Sequence, residues 1–104
     1  ELGAGPAALL VRRGPNFGTR FELQGEVTRI GRHPASDILL DDITVSRRHA
    51  EILHRHGHYS VRDVGSLNGT YLNRERIEEA DLANGDEVQI GRFRLVFLRP
   101  PEEN

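Results

Sequence analysis

The sequence contains no cysteine, lysine, methionine or tryptophan, and its aromatic residues are limited to two tyrosines and four phenylalanines. Without cysteine, a disulfide framework, a thiolate zinc site and a thiol nucleophile are all excluded. No apolar run approaches the roughly 20 residues that a transmembrane helix needs, and no signal-peptide pattern is present. A chain of 104 residues has room for one domain, which we expect to be cytoplasmic.

All 14 basic residues are arginines, and they stand against 16 acidic residues for a net charge of −2. This balance disfavours sequence-independent binding to nucleic acid, which depends on cations that neutralise backbone phosphates. The scarce aromatic residues also offer few platforms on which bases could stack. Arginine nevertheless presents a planar fork of donors that matches phosphate and carboxylate oxygens, so the positions of the arginines deserve more weight than their number.

Short apolar segments separated by turn residues make up most of the chain. The last of them alternates, with Phe93, Leu95 and Phe97 facing one way, as a half-buried strand requires. No stretch of ten or more residues has convincing helical periodicity, and residues 75–83 come nearest. Roughly ten short segments of this kind predict an all-β fold, an antiparallel β-sandwich. Such a fold places function in the loops at one end of a rigid body.

The ends of the chain differ in composition from its middle. Residues 1–7 lack periodicity and are expected to form a flexible leader, residues 8–98 the domain, and residues 99–104 a C-terminal tail. Within the domain, turn residues predict one hairpin across residues 24–26 and another across residues 55–58.

Three predicted loops concentrate polar residues of a consistent kind. They are Gly31-Arg32-His33-Pro34, Thr44-Val45-Ser46-Arg47-Arg48-His49 and Gly65-Ser66-Leu67-Asn68-Gly69-Thr70. Between them they supply guanidinium groups, hydroxyls, an amide side chain and backbone amides that glycine leaves exposed. These groups suit a phosphate attached to a peptide, because a phosphorylated side chain carries about −1.5 to −2 charges and three acceptor oxygens at neutral pH.

Three short motifs follow one another with predicted strands between them, namely Gly31-Arg32, Ser46-x-x-His49 and Asn68-Gly69. Their order resembles the signature of the forkhead-associated (FHA) domain family. The resemblance covers nearly the whole predicted domain. It implies a sandwich of about eleven short, mainly antiparallel strands that binds phosphothreonine peptides without catalysis or a cofactor. The stretches 41–51, 63–71 and 82–91 resemble one subgroup in particular, the small actinobacterial regulators of the GarA/OdhI type.

The resemblance implies a role for each residue at a matching position. Arg32 would pair with the phosphate, and Ser46 would donate its hydroxyl to a phosphate oxygen. Arg47 would add a second contact beside Ser46. Asn68 would hydrogen-bond the main chain of the peptide and so fix its direction and register.

Other matching residues would shape the site. Ser66 and Leu67 lie where family members form the wall next to the phosphothreonine, and we include both among the phosphopeptide-binding residues. Many relatives have a polar residue in place of Leu67, so a polar contact from that position is not expected. The residues expected to support the site are Gly31, His49, Gly69 and Thr70, with the imidazole of His49 bracing the loop that carries Ser46.

Two of the arginines have simpler explanations. Taken alone, Arg32 is a surface arginine paired with Asp37 or Asp41, and only the other two loops favour a phosphate contact. Arg48 is better explained as a structural or solvated residue, for which pairing with a neighbouring acid is one option.

Two alternative functions, a metal site and a hydrolytic active site, have less support in the sequence than phosphopeptide binding. The alternating histidines of residues 54–58 suit zinc or nickel, but the turn residues among them predict a solvated hairpin tip and no metal site. Ser46, His49 and Asp63 are the residue types of a hydrolytic triad. Ser46 lacks the Gly-x-Ser-x-Gly elbow, however, and no oxyanion hole is identifiable. The sequence therefore predicts a protein that is not an enzyme.

The subgroup resemblance implies a regulator controlled by a Ser/Thr protein kinase. Proteins of this type bind and inhibit the 2-oxoglutarate dehydrogenase E1 component and glutamate dehydrogenase through the FHA surface. Phosphorylation of an N-terminal threonine folds their tail onto that surface and ends the inhibition. The first threonine here is Thr19, inside the predicted domain, and the first residue is Glu1 rather than Met. A trimmed regulatory tail is one expectation.

A longer parent protein is the other expectation. The domain would then target a signalling or cell-envelope protein to a phosphorylated kinase or another phosphorylated partner. A third alternative is docking on folded enzymes without any phosphate, because relatives use the same loops in that way. Neither nucleic acid nor membrane insertion is expected.

Overall fold

The computed structural model describes residues 6–101, which form eleven strands in two sheets. The predicted all-β sandwich is therefore confirmed. Residues 1–5 of the predicted leader and residues 102–104 of the predicted tail lie outside the described residues. The strands are β1 (Ala8–Arg13), β2 (Arg20–Glu22), β3 (Val27–Gly31), β4 (Ile38–Leu39), β5 (Ala50–Arg55), β6 (His58–Asp63), β7 (Thr70–Leu72), β8 (Glu75–Ile77), β9 (Glu79–Asp81), β10 (Glu87–Ile90) and β11 (Phe93–Leu98).

The two sheets pack face to face. One has six strands in the order β2-β1-β11-β10-β7-β8, and the other has five in the order β4-β3-β5-β6-β9. Every pairing between described strands is antiparallel except that of β3 with β4, which is parallel. Across residues 6–101, no helix has the length and apolar character that crossing a bilayer requires.

One of the two predicted hairpins is confirmed and the other is wrong. Strands β5 and β6 pair across His56 and Gly57, which both have positive φ (54° and 78°), the geometry that suits a tight two-residue turn. Across residues 24–26, in contrast, the chain crosses between sheets, because β2 pairs with β1 and β3 pairs with β5. The N–H of Leu23 donates to Ala7 O, which prolongs the β1–β2 ladder and buries Leu23 in the core.

The core lies between the sheets and consists of branched aliphatic and aromatic side chains. Phe93, Leu95 and Phe97 all point into it with 0–1% of their surface exposed, as the alternation in the sequence predicts. Residues 75–83 hold β8 and β9, which belong to different sheets. The chain thus changes sheets between Ile77 and Glu79, which explains why neither a helical nor a strand period persists there.

A contact between the sheets fixes the β4–β5 loop. The N–H of Arg92 donates to Thr44 Oγ1 at 3.0 Å, and its guanidinium contacts Asp42 Oδ1 at 2.8 and 2.9 Å. The hydrogen bonds that Thr44 donates from its side chain and backbone do most to lower the pKa of Asp42, and the hydrogen bond from Arg92 lowers it further. A Cβ at Gly91 would lie 2.4 Å from Thr44 Oγ1, so only glycine permits this approach. The six-stranded sheet therefore holds a loop of its partner sheet in place.

Candidate functional site

The end of β3 is joined to the β4–β5 loop through backbone groups. The N–H of Arg32 donates to Ser46 O at 3.0 Å, and the N–H of His33 donates to Arg47 O at 3.2 Å. A Cβ at Gly31 would lie 2.1 Å from Arg47 O, closer than any side chain permits. Glycine is thus required here by the close approach of two backbones.

The guanidinium of Arg32 is aligned by one of its own nitrogens. Nε donates to Val45 O at 3.0 Å, and no residue in 6–101 bonds the two terminal nitrogens. The alternative pairing with Asp37 or Asp41 is not observed, since the carboxylate of Asp37 instead accepts the N–H of Arg29 at 2.8 Å. Arg32 therefore presents a fixed, half-exposed pair of terminal donors.

His49 connects the β4–β5 loop to the β6–β7 loop from inside the protein. Its side chain is fully buried, Nδ1 accepts the N–H of Ser46 at 3.1 Å, and Nε2 lies 2.9 Å from Gly69 O. These partners require a neutral ring that carries its proton on Nε2. Burial lowers the pKa of His49, and the opposing effects of the Gly69 carbonyl and the Asp63 charge are smaller.

Asp63 organises the β6–β7 loop, a role that the sequence analysis missed. Its carboxylate accepts the N–H groups of Gly65 and Ser66 at 2.8 and 3.0 Å, and the hydroxyls of Ser66 and Thr70 at 2.5 and 2.7 Å. Burial alone would raise its pKa, but these hydrogen bonds outweigh it and lower the pKa of Asp63 to about 2. The signal in the sequence is an aspartate two residues before glycine, typical of a turn closed by the side chain.

Further hydrogen bonds join the β6–β7 loop to the β4–β5 loop at the surface. Ser46 Oγ accepts the N–H of Leu67 at 2.9 Å, so its own O–H proton remains to be donated. Asn68 Nδ2 donates to Thr44 O at 3.0 Å, which leaves its carbonyl oxygen and a second N–H for other partners. Ser66 Oγ is engaged within the loop, since it donates to Asp63 and accepts from Gly69 N.

All ten residues that the sequence analysis singled out meet at this end of the sandwich. They are Gly31, Arg32, Ser46, Arg47, His49, Ser66, Leu67, Asn68, Gly69 and Thr70. Arg47 and Asn68 are exposed, whereas His49 and Thr70 are fully buried. Two apolar side chains also face solvent here, Leu67 at 85% exposure and Ile43 at 92%. Ile43 was not predicted to belong to this surface.

The geometry contradicts a hydrolytic triad. Both ring nitrogens of His49 are committed to backbone groups, Ser46 N and Gly69 O, so neither can accept a proton from the Ser46 hydroxyl. Of the histidines considered for a metal, His54 stacks on Tyr59 with ring centroids 3.9 Å apart. Within the described part of the chain, no three histidine, aspartate or glutamate side chains are grouped to hold a metal ion.

The chain matches the sequence model of the FHA domain over residues 28–91, more than half of its length. It belongs to the FHA domain family. This confirms the resemblance in the three loops, and the eleven strands agree with the sandwich that the FHA fold implies.

Two relatives extend the FHA similarity over nearly the whole chain. The glycogen accumulation regulator GarA of Mycolicibacterium smegmatis is 62% identical over 103 residues, with 99% of this chain and 65% of the relative covered. The oxoglutarate dehydrogenase inhibitor of Corynebacterium jeikeium is 61% identical, with 98% of this chain and 71% of the relative covered. The chain thus spans just under two thirds of the mycobacterial relative. Because FHA domains are binding modules and these relatives are named a regulator and an inhibitor, the prediction that the chain is not an enzyme is confirmed.

A solved structure shares the fold. The structure of Mycobacterium tuberculosis EmbR in complex with a low affinity phosphopeptide superimposes with a TM-score of 0.84 at 33% identity. The superposition covers 94% of this chain and 25% of EmbR, in which the domain is one part of a longer protein.

The buried imidazole makes the stability of the domain depend on pH. The pKa of His49 lies below its ordinary value of 6.5 in the folded state, so the unfolded chain binds this proton more readily. We expect the free energy of unfolding to fall as the pH drops from about 6.5 to the lower folded pKa, and to be unaffected by this group above that range. Urea unfolding at a series of pH values measures the effect.

The matched variants are His49→Gln, which removes the titrating ring, and His58→Gln, which removes an exposed one. The His49→Gln variant should lose the fall in stability between about pH 6.5 and the folded pKa, and the His58→Gln variant should keep it. Equal stability of the unsubstituted domain at about pH 7 and about pH 5 would contradict a buried neutral His49.

Proposed function

We propose that this FHA domain binds phosphothreonine-containing segments of partner proteins across the surface of its three loops. The proposal depends mainly on the arrangement around Ser46. Its backbone N–H and C=O are bonded to His49 and Arg32, while its hydroxyl proton remains available beside two arginines. Rigid donors of this kind bind a phosphate without a large cost of ordering the protein.

Three side chains would hold the phosphate. The terminal nitrogens of Arg32 form a fork that matches two phosphate oxygens. The hydroxyl of Ser46 donates to a third, and Arg47 adds charge from the exposed side of the same loop. The local positive charge of these arginines attracts a dianion even though the whole chain has a net charge of −2.

The remaining residues would read or shape the rest of the segment. Asn68 retains one amide donor and its carbonyl acceptor, which suit the backbone of an extended peptide. Ser66 and Leu67 form the wall beside the threonine, Leu67 through apolar contact. The supporting residues are Gly31, His49, Gly69 and Thr70, which maintain the loops from beneath.

A phosphothreonine peptide titrated into the domain should bind with a dissociation constant of about a micromolar, near −8 kcal/mol. Its unphosphorylated form should not bind measurably. Arg32→Ala should cost about 2–5 kcal/mol, because the dianion would be left underpaired, and Ser46→Ala should also weaken binding. Isothermal titration calorimetry measures both effects.

The matched control is Arg55→Ala. Arg55 is exposed in the β5–β6 hairpin, at the opposite end of β5 from the loops, and its replacement should leave the affinity unchanged. Binding that does not depend on the phosphate, or that persists in both the Arg32→Ala and the Ser46→Ala variants, would overturn the proposed site and favour phosphate-independent docking.

We further propose that the protein is a cytoplasmic regulator of 2-oxoglutarate and glutamate metabolism, controlled by a Ser/Thr protein kinase. The support is about 60% identity over nearly the whole chain to proteins named as regulators of glycogen accumulation and inhibitors of oxoglutarate dehydrogenase. The proposed partners are the 2-oxoglutarate dehydrogenase E1 component, glutamate dehydrogenase and the kinase itself. The targeting domain of a longer protein is the alternative, for which EmbR is a precedent.

The regulatory proposal predicts that the domain inhibits a purified actinobacterial 2-oxoglutarate dehydrogenase complex in a steady-state assay. Asn68→Ala should weaken the inhibition, because the same surface contacts the enzyme, and Arg55→Ala should inhibit as the unsubstituted domain does. Full enzyme activity in the presence of an excess of domain that still binds phosphopeptide would favour the targeting alternative.

A further inference from the structure

Three consecutive residues of the β4–β5 loop, Thr44, Val45 and Ser46, determine where the proposed phosphothreonine-binding groups lie. Thr44 O accepts a hydrogen bond from Asn68 Nδ2 at 3.0 Å, and Val45 O accepts one from Arg32 Nε at 3.0 Å. Ser46 follows directly and carries the third ligand group itself. The directions of two side chains from the other two loops therefore depend on two neighbouring carbonyls of this segment.

Contacts from inside the protein hold only part of this segment. The ring of His49 accepts the N–H of Ser46, and the side chain of Val45 is buried in the core. Neither contact involves Thr44, which follows the exposed Ile43. The position of Thr44 must therefore be set by other residues.

Asp42 and Arg92 bond Thr44 from two sides. The carboxylate of Asp42 accepts the N–H and the hydroxyl of Thr44, at 2.9 and 2.5 Å, which closes a turn through the side chain. From the β10–β11 turn, Arg92 donates its N–H to the Thr44 hydroxyl and its guanidinium to Asp42. We call Asp42, Thr44 and Arg92 the inter-sheet clamp, because they join a loop of one sheet to a turn of the other.

The polar groups of the inter-sheet clamp are occupied by one another. Only 8% of the Asp42 side chain is exposed, and its two carboxylate oxygens accept from Thr44 and Arg92 respectively. The Arg92 side chain is 62% exposed, but its Nε and one terminal nitrogen are directed at Asp42. A phosphate would have to compete with this carboxylate for the same donors.

We propose that Asp42 and Arg92 are positioning residues for phosphothreonine binding, which act through Thr44 and make no contact with the ligand. The inter-sheet clamp fixes Thr44 O, which directs Asn68, and through the adjoining Val45 it also fixes the acceptor that directs Arg32. The inference rests on the proposed function and deepens it. A contact between residues 50 positions apart in the chain thereby contributes to the affinity of the site.

The first test observes the free domain by ¹H–¹⁵N NMR at mildly acidic pH, where guanidinium protons exchange slowly. The side-chain amide of Asn68 and the Nε–H of Arg32 each give a signal that reports a hydrogen bond to a backbone carbonyl. Arg92→Ala should shift or broaden both signals, because Asp42 and Thr44 lose their partner. Arg94→Ala is the matched control and should leave both signals in place, since Arg94 lies two residues away on β11 and no residue in 6–101 bonds its guanidinium.

The second test is a calorimetric titration with a phosphothreonine peptide. Arg92→Ala should bind the peptide about three- to tenfold more weakly, because Asn68 and Arg32 must then be ordered during binding. Arg92→Lys retains a cation that can pair with Asp42 and should recover most of the affinity. Arg94→Ala removes the same charge from the same strand and should bind as the unsubstituted domain does.

A second pair of variants tests the inference independently of Arg92. Thr44→Val removes the hydroxyl and keeps the branched shape, whereas Thr44→Ser retains the hydroxyl. Thr44→Val should lose affinity as Arg92→Ala does, and Thr44→Ser should recover most of it. In an Asn68→Ala background the effect of Arg92→Ala should shrink, because one of the two directed side chains is gone. A purely structural role would lower the denaturant midpoint and leave the affinity of the folded domain unchanged.

Two failures are distinguishable within these titrations. If Arg92→Ala and Thr44→Val are folded and bind the phosphopeptide as the unsubstituted domain does, the positioning inference is overturned and the proposed function stands. The same holds if Arg94→Ala loses as much affinity as Arg92→Ala. If the unsubstituted domain does not bind the phosphopeptide, or Arg32→Ala has no effect, the proposed function fails and the positioning inference fails with it.

Discussion

The neutral, buried ring of His49 is the constraint on which the rest of the site depends. It accepts from Ser46 N and donates to Gly69 O, and thereby joins two loops that are 20 residues apart in sequence. Ser46 O then accepts the N–H of Arg32, so the third loop is fixed through the same residue. An imidazole can connect the loops in this way because one ring nitrogen accepts while the other donates.

This bracing explains how a slightly acidic domain can present a local anion site. The backbone groups of the loops bond to each other beneath the surface, and the charged and amide side chains are left above them. Arg32 is aligned by Val45 O, and Asn68 by Thr44 O. Preorganised donors lose little conformational freedom on binding, which is an advantage where a few hydrogen bonds must provide most of the affinity.

The sequence was sufficient to predict the sandwich, because the alternating last strand and the turn signals are local patterns. The three loop motifs are local as well, and the ten residues that they single out lie at one end of the sandwich, where their role in binding stays a prediction. The sequence was insufficient where pairing between distant segments determines the structure. Residues 24–26 resemble a hairpin turn, yet whether Leu23 continues the β1–β2 ladder depends on the distant Ala7. The role of Asp63 was missed for a related reason, since the four donors around its carboxylate come together only when the loops fold.

The most direct test of the preassembled site is the state of the His49 ring, measured by ¹⁵N NMR in the free and phosphopeptide-bound domain at neutral pH. We expect the neutral ring with its proton on Nε2 in both states. Amide shifts should change on binding at the three loops and not in the distant strands. A protonated His49, a proton on Nδ1, or a change of tautomer on binding would contradict a site that is assembled before the ligand arrives.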